Sequence, residues 1–386
     1  MIPAVSIPSP QSRWLFACLE TLGRRQPPPA PPADLDWNAL LALAEAEDVL
    51  PAVAYAARAA RWDSVPAAAR QRLTDGLAAS RARHLVMTRE LTRVLRHWAA
   101  EGIDVIPLKG PVLAEAVYPD AALRPFRDLD LLVRPEDRRR ADVALRGLGY
   151  EPLADEHSGD FDIAFDGAIL YESAAGVRID LHWALLTEAR YVWNQAEAAA
   201  VWKRAVPITL AGERALGLAP EDLVLHLATH FAVHHSLTGL LRQWDLALVL
   251  AQTSVNWPRL LARARAWRVR RALFFTLFSV SAAFPSAVPW KVLARLRRWG
   301  PRAALLTTLM LGVTADRRQR LEHLITLLLI DRAADVRASV RRALWPSADW
   351  LQARYGRPSV APRRLYLAHL RRLAGVIGAA GRARLR

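Results

Sequence analysis

The chain has 386 residues, 53% of them apolar and 23% charged, a composition that suits a globular protein with a sizeable core and argues against disorder. Its single cysteine, Cys18, excludes an internal disulfide and any cysteine-built metal site, and points to a reducing, cytoplasmic setting. The net charge of +16 is unevenly placed: from Pro258 to Arg386 there are 27 Lys and Arg against 5 Asp and Glu, so a mildly acidic front carries a rear of net +22.

The start, MIPAVSIPSPQSRW, lacks the basic and apolar regions of a secretory signal. A short helix is expected there, joined through the Pro-rich linker at residues 27–33 to a helical stretch that opens on Asp36 as N-cap. Val65 to Ala100 reads as one long helix or a broken pair, with Leu73, Leu77, Leu85, Leu91 and Leu95 among its apolar positions. The pattern changes at Gly102. Ile103 to Leu108 is a short apolar run typical of a buried strand, and Lys109-Gly110-Pro111 turns from it into a helix. Asp128 to Val133 is a second strand, and Glu136 to Leu148 a charged helix. FDIAF and AILYE, joined by Asp166-Gly167, read as a hairpin, and Val177 to Trp183 as a further strand. Helices return near residue 219, beginning with Pro220 in a first-turn position. The uncharged run from Ala272 to Trp290 holds Pro285 and Pro289, which suits a buried helix and a turn better than a membrane span. Three regions result: an α-helical part at 1–100, a small mixed α/β domain at 101–218, and a basic α-helical part at 219–386.

Alternate residues of a strand share a face. In DLDLLV this sets Asp128 and Asp130 on one face and leaves Leu129, Leu131 and Val133 for burial. In VRIDLHW it sets Asp180 beside Arg178 and His182. Carboxylates gathered on an apolar framework repel each other unless a cation sits between them, and Mg²⁺ with oxygen ligands answers that need. Gly110, between a buried strand and a helix, permits close approach of a ligand, and Lys109 adds a point charge for phosphate oxygens in a chain that uses arginine at 50 of its 53 basic positions. His226, His230 and His234 recur at i, i+4 and i+8. Without a nearby acidic ligand in that helix, they read as surface or interface histidines rather than a metal site. Asp245 reads as a buried structural partner, for instance of Arg242. The 14 tryptophans are scattered, which speaks for core filling rather than a base-stacking platform.

The string LKGPVLAEAVYPDAALRPFRDLDLLVRPEDRRRADVALRGLGY with the later RIDLHW resembles an uncharacterised bacterial nucleotidyltransferase-like family of the DNA polymerase beta-type superfamily. The resemblance covers residues 100–190. It departs from the broad superfamily in having Lys-Gly where Gly-Ser is usual and a long gap from Gly110 to Asp128. It implies an α+β fold, a small mixed-sheet nucleotidyltransferase domain flanked by helices, and transfer of an NMP group from an NTP to a hydroxyl with release of pyrophosphate. It further implies that Asp128, Asp130 and Asp180 hold two Mg²⁺ ions, with Mn²⁺ as the substitute, and that Asp180 accepts the hydroxyl proton. Lys109, Gly110, Arg124 and Arg127 would meet the phosphates, and His182 would contact base, phosphate or acceptor, or support a neighbouring ligand. Relatives are associated with exopolysaccharide and lasso-peptide biosynthesis, so the acceptor is a saccharide, a peptide or another small molecule, with nucleic acid less favoured. The alternatives are a peptide-tailoring enzyme with a different phosphorylated donor, and a non-catalytic nucleotide- or polyanion-binding module. On either reading the basic rear is a candidate docking surface or merely a solvated arginine face.

Overall fold

Helix ends and strand alternation in this sequence translate directly into elements of the computed structural model, which describes residues 9–153, 167–185, 198–297, 300–355 and 363–372. Asp36 caps α2 (Trp37–Ala46) by accepting from the Ala39 amide at 3.0 Å, after α1 (Pro10–Gly23). α3 (Leu50–Arg61) leads into α4 (Ala67–Ala100), a single unbroken helix of 34 residues. Four of its five expected apolar positions are buried; Leu85 is 70% exposed.

A five-stranded sheet follows, in the order β1-β2-β5-β4-β3. β1 (Val105–Leu108) pairs antiparallel with β2 (Asp128–Val133), and β2 runs parallel to β5 (Arg178–His182). β5 pairs antiparallel with β4 (Ala168–Ser173), and β4 with β3 (Tyr150–Pro152). The hairpin partner FDIAF lies outside the described residues, and β4 finds its described partners in β5 and β3. α5 (Gly110–Ala116) and α6 (Arg138–Gly147) connect strands, and α7 (Ala198–Arg204) precedes a separate hairpin of β6 (Val206–Leu210) and β7 (Glu213–Gly217).

The helices that follow are α8 (Pro220–Val233), α9 (Leu240–Gln252), α10 (Trp257–Ala266) and α11 (Arg270–Ala283). Further helices extend through Ala348–Tyr355. The fold is therefore α+β, a small mixed sheet between helical regions, as the sequence implies. Among the described residues no helix is long and apolar enough to cross a membrane.

Two cores meet at the sheet. Leu129, Leu131, Val133, Ile179 and Leu181 pack on one side with Met87 to Trp98 of α4 and Leu145 of α6. The other side, through Ile106, Leu108 and Leu132, joins a larger core that unites Leu19 and Leu41 with Trp244, Leu248 and Phe275. The N-terminal helices are thus wedded to the C-terminal ones: the indole N–H of Trp244 donates to the Leu19 carbonyl at 3.0 Å. Cys18 is fully buried there, and burial pushes its thiol pKa up, so it is inert packing.

Candidate functional site

The side of β2 and β5 that carries polar residues faces α8. Parallel register sets Asp130 directly beside Asp180 and Leu132 beside His182, while Asp128 lies at the open end of β2 beside Arg178. Asp130 is 5% exposed, and its Oδ1 accepts from the Lys109 ammonium at 2.8 Å and faces the His182 Nε2 at 3.2 Å. The same Nε2 is 3.1 Å from Asp180 Oδ2. Among the described residues, Nδ1 of His182 is buried without a hydrogen-bond partner.

A cavity of about 160 Å³ joins these groups to α8. Lys109, Asp128, Asp130, Asp180 and His182 form one wall; His226, Thr229, His230 and His234 form the other, with Leu185 closing the side. α8 is held in place at its first turn. Asp222, fully buried, takes the Arg204 guanidinium at 2.7 and 3.2 Å and lies 3.2 Å from Arg263, so the helix N-terminus has an anchored carboxylate. Successive turns then present the three histidines along one face. His226 is 4% exposed with neither ring nitrogen hydrogen-bonded among the described residues, and His230 contacts His235 between Nε2 atoms at 3.1 Å. A larger depression of about 700 Å³ lies along α4, lined by Arg89, Thr92, Arg93, Arg96, His97 and Leu148; it has no carboxylate in its lining and no convergence of titratable groups of both kinds.

The electrostatics split the acids. Burial alone would raise Asp130, but the Lys109 and His182 charges hold it well below the usual carboxylate range. Asp128 is reached by solvent at the mouth, yet enough protein crowds it that burial, and then the Asp130 charge, raise its pKa. For His182, burial works downward and is outweighed by Asp180 and Asp130, which hold it at about 9. His226 goes the other way: burial, reinforced by Lys109, pushes it down to about 3, leaving a neutral ring. Burial drives His230 well below its ordinary value as well.

The turn ahead of α5 is built differently from the sequence expectation. The left-handed backbone falls on Lys109, at φ 48° and ψ −108°, and not on Gly110. A side chain at Gly110 would meet the Phe126 ring at 3.1–3.2 Å, so glycine there accommodates the segment leading into β2. Gly110→Ala requires the Phe126 ring to give by a few tenths of an ångström, and if packing holds the ring in place the expected cost is about 1–3 kcal/mol. Urea denaturation measures it, and the cost should shrink in a Phe126→Leu background.

Arg124 does not line the cavity. It makes a bidentate pair with Asp245, Nε to Oδ1 and Nη2 to Oδ2 both at 2.8 Å, and the Tyr118 hydroxyl donates to the same carboxylate at 2.6 Å. Asp245 is thus a buried structural partner, of Arg124 rather than Arg242. Arg242 instead lies 3.7 Å from Asp48, which also has Arg127 at 3.6 Å. Arg127 is largely exposed and outside the cavity lining.

Among the described residues one ligand atom each from Asp130, Asp180 and His182 lies within 4.8 Å of the others, so these three have the donor chemistry and the spacing to hold a metal ion. Asp128 is outside that group. The histidines of α8 are the part of the site that sequence reasoning set aside; Glu221 and Asp222 of their own helix are engaged with Arg204 and Arg263, and the acids that share the cavity with the histidines come from β2 and β5.

The profile of a family described as uncharacterised nucleotidyltransferase matches residues 33–285. A crystal structure of an antigenic nucleotidyltransferase-like protein from Paracoccidioides brasiliensis aligns at 11% identity and a TM-score of 0.35, over 57% of this chain and 93% of that one. No curated protein matches the chain.

Proposed function

We propose, from the premise that this chain belongs to the uncharacterised nucleotidyltransferase family, that the cavity between the sheet and α8 moves an NMP group from an NTP to a hydroxyl of a saccharide, peptide or other small acceptor. The observation that carries this reading is the convergence of Asp128, Asp130, Asp180 and Lys109 on one cavity wall. Such convergence supports transfer over mere polyanion binding, which needs basic groups and no acids.

Asp130 and Asp180 would hold the divalent ion, with Asp128 at the mouth as the further carboxylate. When bound, that ion supplies charge neutralisation at the transferring phosphoryl group. Lys109 is the cation for the phosphates of the NTP. Its strained backbone points the ammonium at Asp130 and into the cavity. Asp180, 30% exposed, is the carboxylate open enough to accept the proton of an incoming hydroxyl. His182 fixes both acids in place. Arg124 acts through Asp245, holding the segment that leads into β2. Gly110 lets Phe126 pack beneath the turn, and Arg127, beside Asp128 in the chain but outside the cavity lining, would have to turn from Asp48 to meet leaving pyrophosphate. The exposed Arg371 and Arg372 of the basic rear offer a docking surface for the acceptor, apart from the chemistry.

Pyrophosphate release measured with Mg²⁺, each of the four NTPs and a panel of saccharide and peptide acceptors tests the reading. One NTP should support release, and Lys109→Met should raise its KM about 10- to 100-fold through loss of a charged hydrogen bond. Absence of release with every combination, together with unchanged nucleotide binding by Asp128→Ala, would sink it.

A further inference from the structure

We infer that the ion of this site is held through nitrogen as well as oxygen, by Asp130, Asp180 and His182, and that the site therefore prefers a transition ion such as Co²⁺ or Zn²⁺ to Mg²⁺. The inference rests on reading the cavity as the divalent-metal site of the transfer reaction, and it changes the ligand set that three aspartates alone would give.

The separations carry the argument. His182 Nε2 stands 3.2 Å from Asp130 Oδ1 and 3.1 Å from Asp180 Oδ2. Donors bound at about 2.0–2.2 Å to a common ion, at tetrahedral to octahedral angles, lie roughly 2.9–3.6 Å apart; both histidine–carboxylate separations fall in that range, and the three atoms lie within 4.8 Å of one another. The Nε2–H is shared between the two carboxylates, and a divalent cation facing all three atoms would take the place of that proton and release it. Among the described residues Nδ1 is buried and makes no hydrogen bond, so all the polar contacts of the ring run through Nε2. Asp128, exposed at the mouth, is not gathered with these three.

The opposite wall adds an independent observation. His226 is 4% exposed, lines the same cavity and, among the described residues, has no hydrogen-bond partner for either ring nitrogen. Leaving such atoms buried is costly unless something in the cavity uses them. The cavity is thus nitrogen-rich on both walls. Imidazole suits the later first-row ions, and Mg²⁺ takes oxygen almost exclusively.

Titration calorimetry of the purified chain with Co²⁺ and with Mg²⁺, without nucleotide, reads the preference. Co²⁺ should bind at least about 100-fold more tightly than Mg²⁺. The Co²⁺-loaded protein should show a paramagnetically shifted, exchangeable imidazole N–H resonance, the Nδ1–H of His182. His182→Ala should abolish that resonance and weaken Co²⁺ at least about tenfold, and His182→Gln, which keeps a polar group of similar length, should do the same if folding is intact by circular dichroism. Equal affinity for the two ions, or a Co²⁺ complex whose spectrum is unchanged in both His182 variants, overturns the inference. Failure here with NTP turnover intact leaves the transfer reading standing. Nitrogen-ligated Co²⁺ in a chain that turns over no NTP has the opposite meaning.

Discussion

Asp130→Asn is expected to lower nucleotide transfer at least about 10³-fold and also to weaken the fold. The carboxylate is buried, is the common partner of Lys109 and His182, and lies beside Asp180 in register. Its replacement by a neutral amide removes one of the donors that gather a cation, a loss of several kcal/mol where charge develops, and each 1.36 kcal/mol is a factor of ten in rate. The asparagine still accepts one hydrogen bond, so the stability loss should be about 1.5–3 kcal/mol, the value of a charged hydrogen bond. Single-turnover kinetics with saturating NTP separate the two effects. A rate within tenfold of the parent would mean that chemistry lies elsewhere.

The largest effect on stability is expected at Asp245. Its carboxylate is 2% exposed and holds the Arg124 guanidinium at two points together with the Tyr118 hydroxyl. Asp245→Ala leaves a buried guanidinium with no counter-charge. Breaking a buried pair on one side costs about 3–5 kcal/mol, whereas replacing both partners by apolar groups is often nearly neutral. The double variant Arg124→Met with Asp245→Leu should therefore recover most of what Asp245→Ala loses, and urea denaturation of the three proteins reads the difference. Because Arg124 lies just ahead of β2 and Asp245 on α9, the single variant should also slow transfer. The pair ties the strand that carries Asp128 and Asp130 to the helical core.

What the sequence made legible follows from local rules. DLDLLV and VRIDLHW announce buried strands with one polar face because alternation is a two-residue property, and those strands form with Leu129, Leu131 and Ile179 buried as expected. Asp36 is legible as a cap for the same reason. The misses come from distance in the chain. Asp245 looks like a partner of Arg242, one helical turn away, but folding brings Arg124 to it across 121 residues. The histidines of α8 look inert in the sequence because the strands that share their cavity lie about 50 to 100 residues earlier. The β6–β7 hairpin turns on Ala211-Gly212, both at positive φ, where an Asn-Gly or Asp-Gly signal would have been read. Gly110 reads as a ligand cradle, and its close neighbour is Phe126, a packing fact that no spacing reveals.

The central claim is that the cavity between the sheet and α8 binds an NTP for transfer. The most direct test is a crystal structure of the full chain with Mg²⁺ or Co²⁺ and an NTP whose α,β-bridging oxygen is replaced by methylene. The triphosphate should lie against Lys109, with an ion on Asp130 and Asp180 and the α-phosphorus facing the cavity that His226 lines. A nucleotide bound elsewhere, or Asp130 still closed on Lys109 and His182 with no ion beside it, would contradict the account.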